Sequence, residues 1–206
     1  MSKKIFIDCG THLFQGLCEF VQKYGIDETW ECYSFESNPI TFKLSQDNYK
    51  TLTESWGLNI KHFNKAVYTE ETKLKVHCSK DEWGENDFDY ISAGSNILLD
   101  APDYDDISKA AFHYKDEDIL VDTIDFCDFL QKTCKEEDYV IIKMDIEGSE
   151  FYVLPQLIEK NLFHLINDMS VEFHERFFEP KSKYRKLKEE YKKIFSEHNI
   201  IIEEWK

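Results

Sequence analysis

Basic residues are too few to balance the acids in this chain of 206 residues, which has 25 Lys plus Arg against 41 Asp plus Glu. The formal net charge is -16. A surface of that charge repels phosphate groups over roughly 8–10 Å at ordinary salt. The composition therefore argues against nucleic acid or an anionic membrane as the main partner, although a local basic patch could override it. The one dense basic run, Lys181–Lys193, is interrupted by two glutamates and is predicted to be the solvated face of a helix.

Several other signals are missing. The six cysteines form no C-x-x-C pair, which argues against a zinc knuckle. No stretch approaches the ~18 apolar residues of a membrane span. The opening MSKKIFIDCG leads directly into a strand pattern without the apolar core of a signal peptide. We therefore expect a cytoplasmic protein with reduced thiols and no membrane partner.

Predicted strands alternate with predicted helices along the chain. Tyr139–Asp145 is an apolar run typical of a central parallel strand, Gly25 is predicted to end the first helix, and Asn38 with Pro39 is predicted to start the next. A hydrophobic fraction of 42% can supply a core, and there is no internal repeat or low-complexity linker. Alternation of this kind is typical of a parallel sheet covered by helices. We predict one α/β domain over residues 1–206, with a doubly wound, mostly parallel sheet and helices on both faces.

The local patterns give four assignments. Asn59–Tyr68 alternates like one strand, and Asp122–Cys134 is predicted to be a helix capped by Asp122 or Thr123. Pro155 is predicted to end one helix and start another. Residues 79–118 are acidic and irregular, and two interpretations stay open: a solvated surface insertion or a substrate lid.

Acidic residues follow several predicted strands. Asp8, Glu36 and Asp145 stand at such ends, and Glu172 with His174 stands at another. In open α/β sheets, ligands bind beyond the carboxyl ends of the strands where the strand order reverses. Because acids next to buried strands are costly, their repeated presence predicts one shared crevice.

The first predicted turn, FIDCGTHLFQG, carries Gly10 and Gly16 but neither G-x-G-x-x-G nor a P-loop. The missing fingerprint argues against a nicotinamide-dependent oxidoreductase and suits a nucleoside ligand without a pyrophosphate. Glu36, 28 residues after Asp8, has two oxygens that could accept hydrogen bonds from both ribose hydroxyls. Its alternative role is an acid that stabilises a helix N-terminus.

The later run IIKMDIEGSE places Lys143, Asp145 and Glu147 at alternate positions. Lys143 could stabilise a developing alkoxide or could simply hold Asp145 in an ion pair. The D-x-E-x-x-E spacing offers oxygen ligands for a divalent cation. Because Glu150 is predicted to lie on the following helix, we predict no metal site.

Together these motifs resemble the FkbM-type methyltransferases, a branch of the class I S-adenosylmethionine-dependent fold. That family shows D-x-G-A/T-N/H, F-E-P/S-N-P, I-K-x-D-x-E-G-x-E and E-x-H at successive strand ends. The matching segments are IDCGTH (Ile7–His12), SFESNP (Ser34–Pro39), IIKMDIEGSE (Ile141–Glu150) and VEFH (Val171–His174). Many members carry a second glycine where this chain has Phe14, and Gly16 is the candidate to replace it.

The resemblance implies a methyltransferase that binds S-adenosylmethionine, with Asn64–Ala66 near the adenine and Asp145 near the methyl end. SAGSN (Ser92–Asn96) would match a serine-rich stretch of the family. The cofactor-site residues that we predict are Asp8, Gly10, Thr11, His12, Gly16, Glu36, Asn64, Ala66 and Asp145.

The expected reaction is methyl transfer to an oxygen, with the acceptor proton removed by a general base. The candidate catalytic residues are His174, Glu147 and Lys143, and Asp145 is a further candidate base. By resemblance the acceptor is a hydroxyl on a sugar, a glycan or another small molecule. The alternative is a non-catalytic methyltransferase fold that serves as a binding or interaction module.

Overall fold

A computed structural model describes residues 2–78, 95, 97, 98, 100–106 and 119–205. Most of the acidic stretch at 79–118, including most of SAGSN, lies outside these residues. No helix in the described part is long and apolar enough to cross a membrane.

The main sheet has six strands in the described part of the chain, and each neighbouring pair is parallel. The strands are β1 (Lys4–Cys9), β2 (Trp30–Phe35), β3 (Asn59–Phe63), β7 (Tyr139–Met144), β8 (Asp168–Val171) and β9 (Ile202–Glu204). Their order is β3-β2-β1-β7-β8-β9. Strand order reverses between β1 and β7, so the sheet is doubly wound and its ligand crevice is expected there.

Three further strands form a second sheet: β4 (Ala66–Tyr68), β5 (Lys73–Val76) and β6 (Ile119–Asp125). Their order is β4-β6-β5. β6 pairs parallel with β4 and antiparallel with β5.

Six α-helices occur in the described residues, with a π-helical turn (Thr51–Ser55) after the third. They are α1 (Gln15–Tyr24), α2 (Pro39–Leu44), α3 (Gln46–Lys50), α4 (Phe126–Thr133), α5 (Glu150–Glu159) and α6 (Lys181–Glu197). Two short 3₁₀ helices span Phe163–Leu165 and Glu175–Phe177. The predicted start of α2 is confirmed, because Asn38 caps it by accepting a hydrogen bond from Ile40 N–H and Pro39 occupies its first turn.

Alternate residues of β1 enter different cores. Ile5 and Ile7 pack in the larger core with α4, α5 and α6, whereas Phe6 packs in a second core with Leu17 and Phe20 of α1. Because neighbouring strand residues point to opposite faces, these two cores lie on opposite sides of the sheet. The predicted fold class, a doubly wound α/β protein with helices on both faces, is confirmed.

Three local predictions were wrong. The segment Asn59–Tyr68 is two strands: β3 pairs with β2, whereas β4 leaves the main sheet and pairs with β6. The helix begins at Phe126 rather than near Asp122, because residues 119–125 form β6 between two partner strands. Asp125 is the cap, and its side chain accepts a hydrogen bond from Asp128 N–H.

The third correction concerns Pro155, which lies inside α5 instead of dividing it. A proline there removes one helical hydrogen bond, at a cost of ~3 kcal/mol or more. The helix continues because Phe151, Val153, Leu154 and Leu157 are buried. Burial of such side chains contributes ~1.5–3 kcal/mol each, which offsets the lost bond.

Candidate functional site at the carboxyl edge of the sheet

Three predicted site residues follow adjacent strands in the same register. Cys9 of β1 is aligned with Phe35 of β2 and with Met144 of β7. Gly10 therefore lies between Glu36 and Asp145, each one residue past its strand. Neighbouring strands lie about 4.8 Å apart, so the backbones of Glu36 and Asp145 are separated by roughly twice that spacing. The two acids therefore lie on either side of the switch point of the sheet.

Gly10 is where two backbone segments meet. It has φ +81°, and a Cβ at this position would lie 1.7 Å from the carbonyl oxygen of Asp145. No other residue fits such a contact, and the φ value also favours glycine. This close approach fixes the β1 turn against the end of β7.

Glu36 is nearly buried, with 7% exposure, and is held by backbone donors. His12 N–H donates to Oε2 at 2.9 Å and Asn38 N–H donates to Oε1 at 2.8 Å. Burial raises the pKa of Glu36, whereas these hydrogen bonds and the charges of His12 and Lys143 act in the opposite direction. Each carboxylate oxygen retains a second acceptor position for a ligand.

Asp8 and Lys143 form a buried ion pair beneath the turn. Lys143 Nζ lies 3.2 Å from Asp8 Oδ1 and 3.6 Å from Asp145 Oδ2, and it donates to the Gly10 carbonyl at 2.9 Å. Thr11 Oγ1 donates to Asp8 Oδ2. Burial alone would lower the pKa of Lys143, but the charges of Asp8 and Asp145 outweigh it and raise this pKa above its usual range. Since Lys143 is 3% exposed, this arrangement favours the role of holding Asp145 over contact with a substrate.

Gly16 gives Lys143 its space. A Cβ at position 16 would lie 2.6 Å from Lys143 Cε. Gly16 is buried on α1 and does not line an open turn. Its lack of a side chain leaves room for the methylene chain of Lys143.

The side chain of Phe14 points into the protein core and away from the glycine turn after β1. The residue adopts φ 72°, the left-handed conformation that a glycine would take, and is 1% exposed. Its ring packs in the second core against Tyr49 and His62. The aromatic side chain therefore occupies core space, and the backbone takes a conformation that glycine adopts readily.

The side chains of Asn64 and Ala66 lie in different surroundings. Asn64 Nδ2 donates to the carbonyls of Glu36 and Ser37, at 2.8 and 3.2 Å. It thus supports the backbone that carries Glu36. Ala66 is 4% exposed and packs with Val76, Cys78 and Val121 in the small sheet, so its side chain does not join the other candidates.

A second group of side chains surrounds His174, and we call it the acidic cluster: Asp145, Glu147, Glu150, Glu172 and His174. His174 Nε2 lies 3.3 Å from Glu147, 3.5 Å from Glu172 and 3.8 Å from Asp145, measured to one oxygen of each. These three acids are about a quarter exposed, whereas His174 is 1% exposed. The three acids are therefore partly accessible to a ligand, whereas the imidazole is buried.

Glu150 holds the imidazole of His174 in place through hydrogen bonds. Its Oε1 accepts from His174 N–H at 2.6 Å and pairs with His174 Nδ1 at 3.1 Å. Its Oε2 accepts from Gly148 N–H at 2.9 Å. Because an ionised carboxylate only accepts, the Nδ1 proton points to Glu150 and Nε2 faces the acids above it.

Charges within the cluster shift the pKa values of two members. Burial alone would lower the pKa of His174, but Glu147 and Glu150 outweigh it and raise this pKa to about 10. Burial raises the pKa of Glu147 to about 7, although the neighbouring His174 charge lowers it. Glu147 also has a positive φ, 52°, which is uncommon outside glycine.

Sequence reasoning missed two supporting residues. Glu150 was placed correctly on the helix but given no role, and Asn38 was treated only as a helix start. Their signals were the second glutamate of D-x-E-G-x-E and the asparagine of S-N-P. Asn38 supports Glu36 through its N–H and contacts Ser95 Oγ at 3.1 Å. Ser95 is the described residue of SAGSN that the structure brings beside this part of the site.

The fold and the site define an open α/β protein with polar side chains gathered at the switch point of its sheet. Residues 8–201 match the family described as the Methyltransferase FkbM domain. The chain belongs to this family, as its motifs predicted. No curated protein matches the chain.

One solved structure that resembles the chain is the crystal structure of Methyltransferase FkbM from Methylobacillus flagellatus KT. The two are 16% identical with a TM-score of 0.42 over 77% of this chain. The match covers 29% of that other chain, so this protein spans less than a third of its length.

Proposed function

We propose that this protein is an S-adenosylmethionine-dependent methyltransferase that methylates a hydroxyl oxygen on a sugar, a glycan or another small molecule. The observation that carries the proposal is the placement of Glu36 and Asp145 on either side of Gly10, at the switch point of the sheet. A nucleoside bound there would place its ribose hydroxyls at Glu36 and its sulfonium near Asp145. Membership in the methyltransferase family supports methyl transfer as the reaction.

In the proposed reaction, the acceptor oxygen attacks the sulfonium methyl in line. A C–O bond forms, the C–S bond breaks, and S-adenosylhomocysteine leaves as the neutral thioether. The acceptor loses its proton to the acidic cluster. Glu147 and Asp145 present partly exposed oxygens, whereas His174 is buried and fixed by Glu150, so the acids are the better-placed bases.

A Phe14 side chain that filled the turn would favour the alternative, a non-catalytic interaction module. The Phe14 ring lies in the second core and does not fill the turn. The acidic surface, with a net charge of -16, supports a small-molecule or glycan acceptor over a nucleic acid.

Calorimetry with S-adenosylmethionine, S-adenosylhomocysteine and NAD tests the cofactor assignment. We expect the first two to bind and NAD not to bind. Glu36→Ala removes hydrogen bonds to a charged group, worth ~1.5–3 kcal/mol, so affinity should fall about 10- to 100-fold. Glu28→Ala, an exposed change before β2, is the matched control. Equal affinity in the Glu36 variant and the control would refute the ribose assignment.

Methyl transfer itself is tested with radiolabelled cofactor and fractionated glycans and metabolites. Label should enter a small-molecule fraction, and Glu147→Gln should reduce its incorporation while cofactor affinity stays unchanged. Cofactor binding without label transfer to any fraction would favour the binding module.

A further inference from the structure

The acidic cluster contains a set of mixed nitrogen and oxygen ligands. One ligand atom each from Asp145, Glu147 and His174 lies within 4.8 Å of the others. We propose that these three residues form a binding site for one divalent first-row transition-metal cation. The sequence alone predicted no metal here, because it offered only the acids of D-x-E-x-x-E and did not show that His174 lies beside them.

The orientation of His174 is the main support. The residue is 1% exposed, and Glu150 holds its Nδ1 side. Nε2 faces oxygens of Asp145, Glu147 and Glu172 at ion-pair distances, without a hydrogen bond in the described part of the chain. A ligating histidine typically donates its other ring N–H to a carboxylate, which fixes the tautomer and aims the free nitrogen at the metal. Glu150 is placed to do this, and the cation would replace the proton that Nε2 carries in the metal-free protein.

The distances suit a small cation. Bonds of ~2.1 Å place neighbouring ligands of a metal roughly 3.0–3.4 Å apart, from octahedral to tetrahedral geometry. Nε2 is 3.3 Å from Glu147 Oε2 and 3.8 Å from Asp145 Oδ1, and the ligand atoms of the two acids lie within 4.8 Å of each other. Binding would therefore draw the two acids together by up to about 1.4 Å. Their partial exposure leaves room for that adjustment and for water or substrate in the remaining positions.

Charge and ligand type narrow the choice of cation. Four carboxylates surround one imidazole, and Glu172 is also paired with Arg176 at 3.2 Å. A doubly charged ion would reduce the repulsion among these acids. Carboxylates suit Mg²⁺ and Mn²⁺, whereas imidazole suits Zn²⁺ and Fe²⁺. A mixed set of two carboxylates and one imidazole therefore favours Mn²⁺, Fe²⁺ or Zn²⁺ over Mg²⁺.

Metal binding does not depend on the proposed methyl transfer, but the role of the metal rests on that proposed function. A cation beside Asp145 would contact the acceptor hydroxyl and lower its pKa. Glu147 would then act as a ligand rather than as the free base. Both arrangements place the acceptor oxygen at the same cluster.

Electron paramagnetic resonance of Mn²⁺ with the full chain, in the absence of cofactor and acceptor, tests the site. We expect one saturable Mn²⁺ per chain, displaced by Zn²⁺ at lower concentrations than by Mg²⁺. Glu147→Gln and Asp145→Asn, both at partly exposed positions, should each weaken Mn²⁺ binding at least tenfold. Glu189→Gln, an exposed acid on α6, should leave it unchanged. His174→Gln should also abolish binding, with folding checked by circular dichroism.

Two results would overturn the proposal. One is no saturable binding of Mn²⁺ or Zn²⁺. The other is an equal loss in the Glu147 and Glu189 variants, which would indicate diffuse attraction to the acidic surface. Calorimetry of S-adenosylhomocysteine on metal-free protein gives an independent readout, so failure of the metal site and failure of the methyltransferase assignment are distinguishable.

Discussion

Glu150 accepts hydrogen bonds from both the backbone N–H and the ring Nδ1 side of His174. The two residues lie on different elements, since Glu150 begins α5 and His174 follows β8. This contact joins the D-x-E-G-x-E motif to the E-x-H motif, which are separate in the sequence.

Glu150→Gln should lower the free energy of unfolding by about 1–3 kcal/mol. The glutamine side chain has one oxygen and one NH₂ group, whereas both glutamate oxygens accept hydrogen bonds from buried N–H groups of Gly148 and His174. The NH₂ group would therefore face one of these N–H donors and leave it without an acceptor. Denaturant unfolding followed by circular dichroism measures the change. Glu159→Gln, at the exposed end of the same helix, should lie within about 0.5 kcal/mol of the natural chain. Equal stabilities of the two variants would contradict this role for Glu150.

Gly16→Ala should displace Lys143, because the added Cβ would lie 2.6 Å from Lys143 Cε. We expect a loss of ~1–3 kcal/mol from overpacking. Lys143→Ala should cost ~3–5 kcal/mol by leaving the buried Asp8 carboxylate without its cation.

A double-mutant cycle of these two changes checks the contact by chemical denaturation. The double variant should lose at least ~1 kcal/mol less than the sum of the single variants, since the atoms that clash are gone. Additive losses would mean that the alanine at position 16 does not press on Lys143.

Asn64→Ala should weaken S-adenosylhomocysteine binding about fivefold if Glu36 binds the ribose. The change removes the hydrogen bonds to the Glu36 and Ser37 carbonyls, and one such bond contributes ~1 kcal/mol. Calorimetry measures the affinity, with Lys65→Ala as the neighbouring control. A larger loss in the control than in Asn64→Ala would contradict the supporting role.

His62 should make folding stability depend on pH. Burial lowers its pKa from 6.5 to about 4, and its ring nitrogens contact the hydroxyls of Ser34 and Ser45 at 2.8 and 3.0 Å. Between these pH values the unfolded chain binds a proton that the folded chain does not. The contribution of His62 to stability is therefore full above pH 6.5 and is lost as the pH falls toward 4.

The shift corresponds to at most about 3 kcal/mol, reduced by the partial exposure of the ring. Urea unfolding at several pH values between 6.5 and 4.5 measures it. His62→Gln should flatten this part of the pH profile, whereas exposed His164→Gln should not. An unchanged slope in His62→Gln would assign the pH dependence to other groups.

Elements with a strong local pattern were predicted correctly. Tyr139–Met144 is an apolar run because a central parallel strand is buried on both faces. Pro39 and Gly25 mark helix ends through their own backbone preferences, and the structure has α2 beginning at Pro39 and α1 capped by Gly25. The wrong assignments were those that depended on distant partners: β4 and β6 pair with each other, and the buried face of α5 keeps Pro155 within the helix.

By itself, the sequence determined the alternation of strands and helices, the strand-end acids and the family motifs, because each of these features depends on residues that are neighbours in the chain. Only the tertiary structure decided which acids meet. Glu36 and Asp145 are brought to either side of Gly10 by the register of β2, β1 and β7. His174 is brought next to Asp145 and Glu147 by the pairing of β8 with β7 and by its hydrogen bonds to Glu150. Contacts of this kind depend on strand order and side-chain direction, which are set when the whole chain packs.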